Sequence, residues 1–149
     1  GLPLQCRVLS HSIGNPAESA STGMLAVGAA DHADLAQVES FSSRGPVTVD
    51  GSNRLKPNLS APGSGIRSSV PGTGYASMSG TSMAGPHVAG VVGLVLSAFP
   101  QLRGQVGTVE SILLATAAPR TSTQTCGGVP GTQIPNNTFG FERIGATFA

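Results

Sequence analysis

The sequence predicts an α/β fold with a parallel sheet, and three segments carry that prediction. Met24–Ala30 is a nearly continuous apolar run that stops at Asp31, a pattern typical of a strand buried on both faces of a parallel sheet. Helical spacing of apolar residues extends over about Ser82–Ala98. A second helix is predicted over about Thr108–Ala118, because its apolar residues share one face and Pro119 follows.

Three shorter segments are predicted to be extended, and glycines and prolines separate them. They are Asn58–Gly63, Ile66–Val70 and Tyr75–Ser79, the last of which leads directly into the first helix. The chain has 149 residues, the size of one ordinary domain, and contains no internal repeat or dividing linker. We therefore expect residues 1–149 to form one domain or one contiguous piece of a larger domain.

Composition argues against two classes of partner. The formal net charge is +1, and Lys56 is the only lysine, so no basic patch predicts binding to nucleic acid. The longest apolar stretch, Val88–Phe99, is shorter than the roughly 20 residues that a bilayer span needs. We expect neither a nucleic acid nor a membrane partner, and we interpret the stretch as a buried helix.

The two cysteines, Cys6 and Cys126, lie near opposite ends of the chain. They could form a disulfide, which would imply an oxidising compartment, or remain as two buried thiols. The sequence leaves both alternatives open. No Cys-x-x-Cys pair and no Cys/His cluster is present, so we expect no metal site in this chain.

The segment with the strongest chemical signal is Ser79-Gly-Thr-Ser-Met-Ala-Gly-Pro-His-Val-Ala-Gly90. Gly80 permits a tight turn, and Ser82 then falls at the start of the predicted helix. Unpaired N–H groups and the positive end of the helix dipole meet there, so an oxyanion forming beside Ser82 would find donors. The alternative is that these hydroxyls simply cap a core helix, since serines at helix starts usually do so.

Small residues along this helix predict that it packs closely beneath the sheet. We expect the ring of His87 to point into that packing rather than back to Ser82, and Pro86 to be tolerated near the helix start. The small residues are Ala84, Gly85, Ala89, Gly90 and Gly93.

The motif strongly resembles the nucleophile signature of the subtilisin-like serine proteases, the subtilases. Flanking segments agree with that family in order and spacing, and the resemblance covers roughly residues 12–145. The flanks are Val27–Ala29, Phe41–Pro46, Ala61–Gly63 and Val70–Gly72. The resemblance implies the C-terminal portion of a three-layer fold, with a mainly parallel sheet flanked by helices.

The resemblance also implies roles for individual residues around the turn. Ser82 would be the nucleophile, and its N–H would be one oxyanion donor. The Thr81 hydroxyl would support the same oxyanion. Met83 would be the methionine beside the nucleophile, a position that is sensitive to oxidation.

The remaining implied residues contact substrate. Ser77, Met78 and Gly80 would belong to the cleft wall that approaches the nucleophile. Gly14, in Ile-Gly-Asn-Pro, resembles the glycine at the base of the S1 pocket. Asn15 is a poor match for the oxyanion asparagine, because it lies too close to Val27.

Other family motifs are missing. Subtilisins carry their triad in the order Asp, His, Ser, but this chain contains no Asp-Ser/Thr-Gly and no His-Gly-Thr motif. A serine without a general base is a poor nucleophile at neutral pH, so we expect this chain alone to be inactive. Phe139–Gly145 also departs from the family pattern, which puts the docking of the C-terminal helix in question.

Two functional hypotheses follow. The first is a serine endopeptidase that cleaves peptide or protein substrates through an acyl-enzyme on Ser82, once the N-terminal segment of the same protease supplies Asp and His. The second is a truncated, non-catalytic subtilase module that binds peptide or protein. The resemblance further implies secretion and no cofactor held by this chain, with calcium possible by family analogy. Asn58-Leu-Ser60 and Asn136-Asn-Thr138 are glycosylation sequons.

Overall fold

A computed structural model of the chain describes residues 8–9, 24–34, 37–48, 50–141 and 144. Within these ranges the chain forms eight strands, two α-helices and one 3₁₀ turn at Pro100–Leu102. The strands are β1 Val8–Leu9, β2 Val27–Ala30, β3 Arg44–Val47, β4 Leu59–Pro62, β5 Ile66–Ser69, β6 Tyr75–Met78, β7 Thr125–Cys126 and β8 Val129–Pro130. The helices are α1 Thr81–Ala98 and α2 Val106–Thr116.

The core lies between the parallel pair β2–β4 and the two helices. The apolar run that predicted a buried strand forms β2, whose residues pair in parallel with β4 from Val27 opposite Leu59 to Ala30 opposite Pro62. One face of α1 packs on both strands. The buried side chains of the core are Ala29, Leu59, Ala61, Ala84, Val88, Val109, Leu113 and Ile144.

A second parallel pair is formed by β1 and β3, and β3 begins at a buried arginine. Arg44 begins β3, is 4% exposed, and donates hydrogen bonds to the carbonyl oxygens of Val38, Glu39 and Ser42. Burial lowers the pKa of this guanidinium. The carbonyl groups satisfy most of its donors, so the arginine of the Phe41–Pro46 segment fixes the loop between β2 and β3.

Two antiparallel hairpins complete the strands. The β5–β6 hairpin pairs Ile66 with Met78 and Ser69 with Tyr75, and it leads into α1. The β7–β8 hairpin contains Cys126, which is disulfide-bonded. The only other cysteine in the sequence, Cys6, lies outside the described residues. The free-thiol alternative for Cys126 is therefore wrong.

Near the C-terminus the departure from the family pattern does not prevent Ile144 from joining the core. The N–H of Ile144 donates to the carbonyl of Ser60 (2.8 Å), and the N–H of Phe141 donates to that of Asn58 (2.8 Å). Ile144 is 7% exposed. Residues 142–143 and 145–149 lie outside the described residues, so the docking of a C-terminal helix stays a prediction.

The helix predicted over Ser82–Ala98 forms with nearly the same bounds. The prediction that all its small residues pack closely is wrong. Ala84 is buried, whereas a Cβ added at Gly85, Gly90 or Gly93 would meet no atom of the described structure within 4 Å. Gly90 and Gly93 lie on the exposed face of the helix, and Gly85 is half-buried. The predicted orientation of His87 is wrong in part, because its side chain is exposed rather than packed.

The face of α1 turned away from the strands is exposed and partly apolar. This helix is the one described helix long and apolar enough to cross a membrane, and this is weak evidence since core helices of soluble proteins meet the same criteria. Leu94 is 58% exposed on this face. One side of α1 therefore belongs to the core, and the other side is not covered by the part of the chain that the structure describes.

Candidate active site

The carboxyl ends of β2 and β4 meet the start of α1. At the end of β4, the N–H of Gly63 donates to the carbonyl of Ala30 (2.9 Å), which joins it to the end of β2. The carbonyl of Gly63 in turn accepts a hydrogen bond of 2.7 Å from the N–H of Gly80. This chain of bonds holds the turn before Ser82 against the edge of the parallel pair.

A close approach of the chain at Gly63 leaves no room for a side chain unless its neighbours shift. A Cβ at this position would lie 2.5 Å from the Cβ of Ala29 and 3.0 Å from the carbonyl oxygen of Gly80. Real Cβ atoms do not come that close to another carbon, so the strand end and the turn could not keep their present separation. The segment Ala61–Gly63 resembles a subtilase motif, but the resemblance gives no physical reason for the glycine. The short distances to Ala29 and Gly80 explain why a glycine is present.

Ser82 is the second residue of α1, and its hydroxyl is not a cap. The residue at the N-cap is Gly80, and no side chain caps the helix. Ser82 is exposed, and its Oγ has no hydrogen-bond partner among the described residues. The interpretation of Thr81 and Ser82 as capping residues therefore has no support in this geometry.

Backbone donors at the helix start remain available. The N–H groups of Met83 and Ala84 both donate to the carbonyl of Gly80, at 3.0 and 3.3 Å. Those of Thr81 and Ser82 have no acceptor among the described residues, as expected for the first turn of a helix. A free donor beside an unpaired hydroxyl is the arrangement that an oxyanion next to Ser82 requires. The roles of Ser82 and Thr81 stay predictions.

Neither described histidine is hydrogen-bonded to Ser82. His87 lies one turn along α1, and its Nδ1 is 2.9 Å from the carbonyl oxygen of Met83. His32 follows β2, and its backbone N–H donates to Oγ of Ser64 (3.3 Å). The third histidine of the sequence, His11, lies outside the described residues. No base for Ser82 is therefore found in the described part of the chain.

Asp31 follows β2, and its carboxylate accepts hydrogen bonds from the turn that it begins. Its Oδ1 accepts hydrogen bonds from the N–H groups of Ala33 (2.6 Å) and Asp34 (2.9 Å). The backbone donors of Asp34 and Ala33 lower the pKa of the Asp31 carboxyl. A carboxylate used in this way closes a turn, and no hydrogen bond joins it to Ser82 or to a histidine among the described residues.

The predicted cleft wall divides between two faces of the β5–β6 hairpin. Ser77 lies opposite Arg67, and Met78 lies opposite Ile66. Successive side chains of a strand point to opposite faces, so Ser77 and Met78 cannot line one surface together. Both residues are exposed, Met78 to 49%.

One further residue ties the hairpin to the turn. Oγ of Ser79 accepts a hydrogen bond of 2.9 Å from the N–H of Gly65, the residue before β5. Sequence reasoning did not assign Ser79 a role, although it begins the motif. Gly14, the predicted base of the S1 pocket, lies outside the described residues, so its placement stays a prediction.

Parallel strands whose carboxyl ends meet a serine at a helix N-terminus place this chain among the α/β proteins, and solved structures show that its fold is subtilisin-like. Sphericase, a solved structure of that fold, superposes on this chain with a TM-score of 0.66 at 26% identity, covering 83% of this chain and 40% of its own. The predicted fold class is confirmed. The model of the Subtilase family matches residues 6–141, and the chain belongs to that family.

Curated relatives agree with this assignment. Bacillopeptidase F of Bacillus subtilis is 40% identical over 139 residues, which cover 91% of this chain and 8% of the relative. The minor extracellular protease Vpr of the same organism is 41% identical over 87 residues, covering 54% of this chain and 10% of Vpr. The chain thus spans a tenth or less of the length of these two relatives.

Proposed function

We propose that this chain is the nucleophile-bearing part of a serine endopeptidase. Ser82 Oγ attacks the carbonyl carbon of a peptide bond, the amine leaves, and water then hydrolyses the acyl-enzyme. The observation that carries the proposal is an exposed serine at the start of a helix. Its hydroxyl does not cap the helix, and an unpaired backbone N–H lies beside it. Membership of the Subtilase family supports the same chemistry.

The general base comes from a further segment of the protease, in our proposal. Transfer of the Ser82 proton requires a base within hydrogen-bond reach, and the described residues place none there. A histidine from the N-terminal Asp/His-bearing segment accepts this proton and later gives it to the leaving amine, while the aspartate orients the histidine. Without that segment the chain is inactive.

The exposed face of α1 supports the proposal that an N-terminal segment packs on this helix. Residues at helical spacing from the nucleophile form a continuous exposed stripe, which includes Gly90 and Gly93 with open space around them. Ser82 is exposed at the N-terminal end of the same helix. A segment that covered the stripe could place its histidine beside Ser82 while burying apolar surface at Leu94 (58% exposed).

A second candidate function is a non-catalytic subtilase module that binds peptide or protein. The observation in its favour is the same absence of a base near Ser82 within the described residues. The sequence of the protein before Gly1 discriminates the two candidates. Asp-Ser/Thr-Gly followed by His-Gly-Thr in that sequence would exclude the non-catalytic module.

Secretion and independence from cofactors also belong to this proposal. A disulfide at Cys126 is typical of oxidising compartments, and the related Vpr is named as an extracellular protease. The triad mechanism needs no cofactor bound by this chain. Calcium binding by the complete protease and the exclusion of nucleic acid and membrane partners stay predictions.

The test is peptide cleavage by the complete protease and its Ser82→Ala variant. We expect Ser82→Ala to lower kcat by about 10⁴- to 10⁶-fold, as removal of triad members does in subtilisin. Ser97→Ala is the matched control, because Ser97 is exposed at the far end of the same helix. Equal cleavage by Ser82→Ala and the control would overturn the proposal.

A further inference from the structure

The β5–β6 hairpin carries a cation on the strand beside the one that leads to Ser82. The guanidinium carbon of Arg67 lies 4.6 Å from the centroid of the Tyr75 ring, within the range of a cation–π contact. Arg67 has no carboxylate partner among the described residues, where the one salt bridge found joins Arg54 to Asp50. The charge of Arg67 is therefore available to a ligand.

The register of the hairpin places this cation on the same face as a predicted substrate residue. Arg67 lies directly opposite Ser77, and Tyr75 is two residues before Ser77 on β6. Residues two apart on a strand share a face, so Arg67, Tyr75 and Ser77 form one surface. We call these three residues the cationic face. Ile66 and Ala76, on the opposite face, are half-buried.

The hairpin is also fixed relative to the nucleophile. The bonds from Gly65 N–H to Ser79 Oγ (2.9 Å) and from Gly80 N–H to Gly63 O (2.7 Å) attach its base to the turn. Ser82 follows Ser77 by five positions, a span of at most about 17 Å in extended chain. An extended substrate has the same rise, so a residue within about five positions of the scissile bond can reach the cationic face.

We propose that the cationic face selects peptide substrates with an acidic side chain within about five residues of the scissile bond. An Arg guanidinium pairs well with a carboxylate, because its planar donors match the two oxygens. Contact with the Tyr75 ring holds the guanidinium in place, which reduces the side-chain freedom lost when a carboxylate binds. This inference rests on the proposed function and names its substrate class.

The experiment compares matched peptides that differ by one Glu-to-Gln replacement, placed in turn at each of the five positions on either side of the scissile bond. With the complete wild-type protease we expect the Glu peptide to show a roughly three- to fivefold higher kcat/KM at one position, the effect of an exposed ion pair. Arg67→Gln should abolish this preference, and Arg67→Glu should reverse it. Arg103→Gln, a change at an exposed arginine next to the 3₁₀ turn, should preserve it.

The outcomes separate this inference from the proposed function. Cleavage of the Gln peptides with Glu/Gln ratios near one at every position would overturn the inference and leave the endopeptidase intact. A Glu preference that survives in Arg67→Gln would also overturn it, because another cation would then be responsible. Absence of all cleavage by the complete protease, or cleavage that persists unchanged in Ser82→Ala, would overturn the proposed function itself.

Discussion

The backbone N–H of Gly80 donates a hydrogen bond of 2.7 Å to the carbonyl of Gly63, and this bond connects the nucleophile turn to the end of β4. Two segments of the sequence that are 17 residues apart thereby form one local structure around Ser82. The position of the helix start depends on how closely these two glycines approach.

Replacing Gly63 with alanine tests that dependence. The added Cβ would lie 2.5 Å from the Cβ of Ala29, so we expect a loss of about 1–3 kcal/mol in the free energy of unfolding and a lower kcat. Chemical denaturation and peptide cleavage by the complete protease measure the two effects. Gly74→Ala is the control, since its Cβ would meet only Val70 at an ordinary 3.6 Å. Equal behaviour of the two variants would contradict this role for Gly63.

Gly-to-Ala replacements on the exposed face of α1 should change the Tm in opposite directions, depending on whether that face is open to solvent or covered by the N-terminal segment. On a helix face open to solvent, Gly-to-Ala replacement stabilises by about 1 kcal/mol, because alanine has the higher helix propensity. If the N-terminal segment covers the face closely, Gly90→Ala and Gly93→Ala should instead lower the Tm of the complete protease. Gly107→Ala on α2, which also has open space around it, should raise the Tm. A rise for all three variants would contradict coverage of α1.

The two glycosylation sequons should remain unmodified in the folded protein. Asn136 is fully buried, and its Oδ1 accepts hydrogen bonds of 2.9 Å from the N–H groups of Thr138 and Phe139. Asn58 Oδ1 accepts from the N–H of Ala26 (2.9 Å) and from Nζ of Lys56 (2.6 Å). A glycan is carried on Nδ2. In Asn136 this atom donates to the carbonyl oxygens of Arg120, Gly131 and Gln133, contacts that a glycan would break, and Asn58 is held half-buried by its Oδ1 contacts. Intact mass before and after glycosidase treatment, on active protein from a eukaryotic secretory host, checks this, and a mass loss would contradict it.

The elements that sequence could predict are those with a strong local signal. The apolar run ending at Asp31 predicted β2, and the helical spacing after Ser82 predicted α1 with an error of one residue at its start. The second helix was predicted over Thr108–Ala118 and forms over Val106–Thr116. Local pattern determines such elements, because each buries one face or both against the core.

Features that depend on distant contacts could not be predicted. Nothing in the sequence indicates that Ser77 lies opposite Arg67. Strand alternation places the side chains of Ser77 and Met78 on opposite faces, and their contact with substrate stays a prediction. Close packing of Gly85, Gly90 and Gly93 was predicted from residue size alone, whereas packing requires a partner that the described residues do not supply. The state of Cys126 likewise depends on tertiary structure rather than on spacing.

Labelling with a fluorophosphonate probe tests the central claim most directly, because the probe reacts with a serine only when a working base activates it. We expect the complete protease to gain one adduct, located at Ser82 by peptide mass spectrometry. The Ser97→Ala control should gain the same adduct, and the Ser82→Ala variant none. A complete protease that gains no adduct, or one labelled at a residue other than Ser82, would contradict the account.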